Sequence, residues 1–194
     1  MRERVTAAEK CMAILKSSLE QKSCSTEMGD EGGFAPALAS NDEALGLLVT
    51  SIQEAGYSTD QVKIALDVAS SSFYEGGQYV LKSGGERLLD NAHMIEWYVA
   101  LAEKYPLISI EDGLAEDDWD GWKKMFAAFS SKALICGDDI TSTNPYRLQS
   151  ALNNNVLNAI VVKPNQIGTV TEALAVAEIA RFKQLKIVVS NRSG

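Results

Sequence analysis

Val5, Ala8, Met12, Leu15 and Leu19 recur at steps of three and four, a pattern that predicts an amphipathic helix over roughly Arg2–Glu20. Gln21–Met28 is polar and reads as a linker. A second helix is predicted from Ser40, whose spacing to Glu43 suits a capping box, with Leu45, Leu48, Val49 and Ile52 turned inward and Gly56 as its stop. Lys63–Val68 is too apolar to alternate, as expected of a parallel strand covered on both faces. Ser70–Gly85 reads as a surface excursion, a small hairpin with Glu75-Gly-Gly-Gln78 at its tip. Asp90 suits the cap of a helix reaching about Tyr105, with Trp97 and Leu101 on its apolar side, and Pro106 ends it.

From Leu107 onward strands and helices alternate. Predicted strands are Leu107–Glu111, Ala133–Asp138, Ala159–Lys163 and Lys186–Ser190. The helix after the first carries Trp119, Trp122, Phe126 and Phe129 on one stripe, which helical packing explains without a ligand. Asn144-Pro145 and Thr169 with Glu172 mark the next two helix starts. Glu111, Asp138, Lys163 and Ser190 end the strands at intervals of 27, 25 and 27 residues, without a sequence repeat behind them. Strand alternating with helix implies right-handed parallel βαβ units, and hence an α/β sheet or barrel.

Composition narrows the partners. The 194 residues are 46% hydrophobic and 23% charged, as in globular proteins, and the net charge of -8 argues against nucleic acid or an anionic membrane as partner. Cys11, Cys24 and Cys136 have no metal-ligand spacing, and their odd number does not suit a disulfide framework. Cys136 falls inside an apolar strand and reads as a small buried hydrophobe. No apolar stretch is long enough to span a bilayer and no signal-peptide core follows Met1, so membrane insertion is not expected and a cytoplasmic, reducing location is.

The chemistry gathers where strands stop. Asp67, Glu111, Asp138 and Lys163 each follow an apolar run, at the end of the strand where (β/α) barrels build their active sites. A single charge at a strand end is ordinarily just where the strand meets water, but four in succession suggest a site. Three carboxylates converging on one point need a cation, and an all-oxygen set suits Mg²⁺. Desolvation disfavours the ammonium form, so a lysine in such a strand mouth suits a general base working beside the metal. The lone histidine, His93, lies on a helix and reads as a surface or packing residue. Asp30 and Glu31, set within Gly29-Asp-Glu-Gly-Gly-Phe-Ala-Pro36, form a further acidic candidate, because glycines on both sides let a backbone approach a ligand closely.

Gly29–Pro36, Ala65-Leu-Asp67, Ser109-Ile-Glu-Asp112 with Glu116-Asp-Asp-Trp119, Gly137-Asp-Asp139 with Thr143-Asn-Pro145, Lys163-Pro-Asn-Gln-Ile-Gly168 and Ser190-Asn-Arg-Ser-Gly194 occur in order, and together they resemble enolase. Ser109–Trp119, with Gly113 after Asp112, looks more like the bacterial branch. The resemblance implies a parallel TIM-like barrel of the enolase type, of which the chain would hold about the third to the seventh of eight strands, all within the C-terminal catalytic domain. The N-terminal capping domain would be absent, as would the last strand with its active-site lysine. It further implies that Asp67, Glu111 and Asp138 bind catalytic Mg²⁺, that Lys163 takes the α-proton of 2-phosphoglycerate, and that Glu31 helps expel the 3-hydroxyl as water. Glu111, Asp138, Lys163, Asn191, Arg192 and Ser193 would contact substrate, with Arg192 on the phosphate and Ser193 near a second Mg²⁺. The product would be phosphoenolpyruvate, and the whole protein would be a homo-oligomer with, by family resemblance, a cell-surface or secreted pool besides the cytoplasmic one.

Asn191 stands where the family carries histidine; it can hydrogen-bond substrate but cannot move a proton. On this basis, and with the capping domain and the last strand expected to be absent, the isolated chain is expected to be weakly active or inactive. The alternative is a non-catalytic enolase-like binding or structural protein. An acid–sugar dehydratase or racemase of the same superfamily is less well matched by Gly29–Pro36 and Lys163–Gly168.

Overall fold

The computed structural model describes residues 2–29, 32–82 and 85–190. Two compact units result, one around residues 2–64 and the other around residues 65–81 and 87–190.

The first unit is a pair of packed helices, α1 (Arg2–Gln21) and α2 (Asn41–Glu54). Ser40 caps α2 by accepting the Glu43 N–H at 3.1 Å, and the Glu43 carboxylate reaches back to the Ala39 N–H at 3.0 Å rather than to the cap residue. That carboxylate also takes the Lys22 ammonium at 2.9 Å. The apolar stripe of α1 forms as expected but is covered only toward its C-terminus. Leu19 is buried, whereas Val5 is 51% exposed and Met12 36%. Between the helices the Gly29 N–H donates to the Gly33 carbonyl and Met28 bridges Phe34.

The second unit holds a five-stranded sheet in the order β1 (Ile64–Asp67), β5 (Leu107–Glu111), β6 (Leu134–Gly137), β7 (Ala159–Val162) and β8 (Lys186–Val189). The β5–β6, β6–β7 and β7–β8 pairs are parallel. Helices α4 (Trp119–Phe129), α5 (Pro145–Asn154) and α6 (Val170–Phe182) are the crossovers. This is an α/β sheet of the barrel type left open, with β1 and β8 as its edges among the described residues.

Burial follows position in the sheet. All four residues of interior strand β7 are buried, as a strand covered on both faces should be. β1 departs from that expectation, with Ile64 and Leu66 more buried than Ala65 and Asp67, and at β8 Val188 and Val189 are exposed. Edge strands have a neighbour on one side only, and an apolar sequence cannot by itself supply the missing cover.

The excursion after β1 is larger than a hairpin. A short 3-10 turn (Ser70–Phe73) leads to β2 (Tyr74–Glu75), β3 (Gln78–Leu81) and an additional strand β4 (Arg87–Leu89), all antiparallel. Gly76 and Gly77 both have positive φ, as the tight two-residue connection between β2 and β3 demands. Helix α3 (Asn91–Lys104) follows, capped by Asp90, which accepts the His93 N–H at 2.9 Å. Its buried side is Met94, Ile95, Tyr98 and Leu101; Trp97 is only half-buried. His93 is exposed beside Asp90, and Cys136 is buried in β6. On α4 the aromatic stripe splits, with Trp122 and Phe129 buried and Trp119 and Phe126 at its margins. No helix among the described residues is long and apolar enough to cross a membrane.

Candidate active site

Asp67 and Glu111 are the last residues of β1 and β5, and Asp138 and Lys163 are the first residues past β6 and β7. The parallel register places Glu111, Asp138 and Lys163 at the same end of the sheet, and Asp67 feels the charges of Asp138 and Lys163 there. Lys163 donates from Nζ to Asp138 Oδ2 in a short ion pair. Asp138 is 6% exposed, and its other oxygen, Oδ1, is buried and accepts no hydrogen bond among the described residues. A buried carboxylate oxygen without a donor is costly unless a cation completes it.

The carboxylates sense one another. Burial pushes Glu111 up to about 7, and the charges of Asp67, Asp138 and Asp112 add to the rise. Asp112 is likewise pushed up to about 7 by burial, against the pull of two backbone N–H groups. Asp67 is raised by partial loss of hydration, with Asp138 and Asp139 contributing. Without metal, burial alone does not leave Lys163 neutral. Desolvation is the largest single influence and lowers it, but the bond to Asp138 and the charges of Asp138, Asp139 and Glu111 together outweigh that, and the ammonium is held above its ordinary range. Burial alone does not set a lysine's proton affinity when an anion is in contact.

Asp112, Asp138 and Asp139 present oxygens within 4.8 Å of one another. This trio shares only Asp138 with the expected ligand set. The Asp112 carboxylate is already engaged, accepting the N–H of Asp138 at 3.0 Å and of Asp139 at 2.8 Å. Burial is the main cause of the rise at Asp67 and Glu111, and the charge of Asp138 adds to it at both. An all-oxygen donor set of mutually repelling carboxylates with one orphaned buried oxygen fits a hard divalent cation.

The loop after β5 is tied down from three sides. Tyr98 donates to the Gly113 carbonyl at 2.7 Å, the Ala115 N–H donates to the Tyr79 hydroxyl at 3.0 Å, and Trp122 Nε1 donates to the Ala115 carbonyl at 3.0 Å. Tyr79 passes its own proton to Asp118 at 2.9 Å. Arg147, from α5, donates to the Ile140 and Glu116 carbonyls at 2.7 and 3.1 Å, joining this loop to the one after β6.

Glu31, Asn191, Arg192 and Ser193 lie outside the described residues, as does Asp30. An apolar cavity of about 340 Å³ in the helical unit, lined by Leu15, Leu19, Phe34, Pro36, Ala44 and Leu48 among others, includes none of the strand-end carboxylates. Sequence reasoning passed over the parts played by Asp112, Asp139 and Thr143. Only the adjacency of Asp112 to Glu111 and of Asp139 to Asp138 could have drawn attention to the first two.

Comparison with known proteins agrees with the arrangement. Residues 1–194 match a family model described as the enolase C-terminal TIM barrel domain. A protein named "Enolase" from Rubrobacter xylanophilus is 46% identical over 194 residues, the whole of this chain and 45% of that protein. "Enolase" from Natranaerobius thermophilus and "Enolase 2" from Pseudomonas syringae pv. syringae are each 48% identical over 181 residues, 93% of this chain and 42% of theirs. The chain thus spans less than half the length of these relatives. With a match across its full length, and with parallel strands carrying acidic and lysine termini at one end, the chain belongs to the enolase C-terminal TIM barrel domain family.

Proposed function

We propose that this chain carries the metal-binding and proton-abstracting part of an enolase active site, a carbon–oxygen lyase that dehydrates 2-phosphoglycerate to phosphoenolpyruvate with Mg²⁺. The observation that carries the reading is the Asp138 carboxylate, which binds Lys163 through one oxygen and leaves the other buried and unsatisfied. Asp67, Glu111 and Asp138 would hold the metal. When bound, the metal supplies charge stabilisation for the electron-rich carboxylate that appears as the α-proton leaves.

Lys163 is the base. As a cation it cannot accept a proton, so it must first lose one, and the negative field around it opposes that loss. A divalent cation among the carboxylates offsets the same field, which makes base strength at Lys163 depend on occupancy of the acidic cluster. Asp138 orients the ammonium, and the ion pair keeps Nζ at the strand mouth. Glu31 would assist departure of the 3-hydroxyl, while Asn191, Arg192 and Ser193 would bind substrate, Arg192 at the phosphate and Ser193 near a second Mg²⁺.

With asparagine at position 191, the chain alone is expected to turn over weakly or not at all, and the whole protein is expected to be a homo-oligomer. The test separates the two half-steps. Exchange of the α-proton of 2-phosphoglycerate with deuterated solvent, followed by NMR with Mg²⁺ present, reads Lys163 directly. Ultraviolet absorbance of phosphoenolpyruvate reads the whole reaction. Exchange abolished by Lys163→Ala is the expected result. Exchange that persists in that variant would remove Lys163 as the base. Absence of both exchange and Mg²⁺ binding in the parent would favour a non-catalytic binding role.

A further inference from the structure

We propose that Asp112 and Thr143 are positioning residues that hold Asp138 and Lys163 by their main chains, extending the sheet with side-chain hydrogen bonds where the backbone ladders stop. The β5–β6 ladder ends at the Glu111–Cys136 pair, followed by one bond from the Asp112 N–H to the Cys136 carbonyl at 3.1 Å. There Asp112 turns into the left-handed region, with φ +42°, and its carbonyl accepts from Ser70 instead of continuing the ladder. The N–H groups of Asp138 and Asp139 are received by the Asp112 carboxylate. The residue is 4% exposed, so those bonds lie out of water.

The same arrangement recurs one strand along. The β6–β7 pairing ends at Gly137–Ile160. The Lys163 N–H donates to Thr143 Oγ1 at 2.9 Å, and Thr143 sends its own proton to Gln166 Oε1 at 3.0 Å. That outgoing bond fixes the hydroxyl so that a lone pair faces Lys163. Gln166 closes the circuit by donating its N–H to the Lys163 carbonyl at 3.0 Å. Thr143 is fully buried and has φ +51°, next to Ser142 at +48°. A β-branched residue in the left-handed region is strained, and such strain persists only where the surroundings over-determine it. Glycine or asparagine would suit that backbone better, and neither carries a hydroxyl. Threonine at this position is explained by the hydroxyl.

Both members of the Asp138–Lys163 pair are therefore held at their backbones by a residue from the loop of the preceding strand. The consequence for turnover rests on the reading of Lys163 as the base, whereas the positioning itself does not. It is tested on the full chain, labelled with ¹⁵N, through Thr143→Val, Thr143→Ser and Thr143→Gly, with Asp112→Asn as an independent arm. Valine keeps the shape without the hydroxyl, serine keeps the hydroxyl, and glycine removes the hydroxyl while relieving the backbone.

Thr143→Val and Thr143→Gly should each speed exchange of the Lys163 amide by about tenfold or more, with Ile160–Val162 unaffected, and Thr143→Ser should restore protection to within about threefold. Asp112→Asn should do the same at Asp138 or Asp139, since an amide side chain offers one acceptor oxygen in place of two. The second readout is the coupling between Asp138→Asn and Lys163→Met in a double-mutant cycle on the unfolding equilibrium. It should shrink by about threefold or more in the Thr143→Val background and be kept in Thr143→Ser. Unchanged exchange and coupling in Thr143→Val, or a serine variant as damaged as the valine one, would overturn the proposal. Neither readout needs metal or substrate. Absent Mg²⁺ binding with intact coupling would count against the lyase reading and leave this one standing.

Discussion

Tyr79→Phe removes one oxygen atom and nothing else, from a residue with no exposed surface. The ring volume is kept, so no cavity term enters. Two bonds are lost. The hydroxyl no longer donates to Asp118 Oδ2, and the Ala115 N–H, in a residue 3% exposed, loses its acceptor. Asp118 is not orphaned, because Asn91 Nδ2 and the Gly121 N–H still reach it at 3.2 and 3.0 Å. The Ala115 N–H has no such substitute among the described residues. A hydrogen bond to a charged group contributes about 1.5–3 kcal/mol, and a buried unsatisfied donor costs about 1–3 kcal/mol, so a loss of about 2–4 kcal/mol is expected once overlap between the two is allowed for. Against a total stability of about 5–15 kcal/mol this is a large fraction. Urea denaturation followed by tryptophan fluorescence measures it, and amide exchange at Ala115 and Glu116 should rise together. A destabilisation below about 0.5 kcal/mol, with Ala115 still protected, would refute the claim that this hydroxyl anchors the loop behind Glu111.

Asp138→Ala should weaken Mg²⁺ binding by about tenfold or more in a calorimetric titration, and equal affinity in parent and variant would exclude the carboxylate as a ligand. In the metal-free protein, Glu111 and Asp112 hold protons up to about 7, whereas unfolded they release them near 4.5 and 3.8. The folded state thus binds more protons across that window, so stability should fall as pH rises from about 4 to about 7, with Mg²⁺ restoring part of it above neutrality; a midpoint that climbs over the same range would contradict the assignment. Gly137→Ala would place a methyl 2.6 Å from Ile140 Cγ2 and 2.9 Å from Leu157 Cδ2. It should cost about 1–3 kcal/mol by thermal or urea unfolding, and a neutral result would refute close packing at the turn before Asp138.

Helix starts were the most legible parts of this chain. Ser40, Asp90, Asn144 and Thr169 were each identifiable from one polar residue and its spacing, and each accepts a backbone N–H at its cap. Caps are local chemistry, so local sequence suffices. The strand ends were legible for the same reason, because an apolar run closing on Asp or Lys marks where the sheet stops. Exposure was harder to read. Val188 and Val189 look like Val161 and Val162 in sequence, yet one pair is exposed and the other buried, because burial depends on what lies beside the strand. The proton affinity of Lys163 without metal was not legible, because it depends on an ion pair with a residue 25 positions earlier. Thr143 was invisible for a related reason. A threonine before Asn-Pro reads as loop, and only its φ and its reach to Lys163 disclose its part.

Strand β8 pairs only with β7 among the described residues, and its outer row of backbone groups runs beside exposed Val188 and Val189. Such an edge is a template for a second strand of any origin, including another copy of the same segment. What opposes that encounter at neutral pH is the net charge of -8, a long-range repulsion between copies. The two forces answer to different variables. Salt shortens the range of the repulsion to about 10 Å at 0.1 M and leaves the edge untouched. Acid removes the charge altogether as the solution nears the isoelectric point of 4.7. Colloidal behaviour should therefore be set by ionic strength and acidity rather than by folding stability, with light scattering rising in salt and towards that pH while the unfolding midpoint stays high.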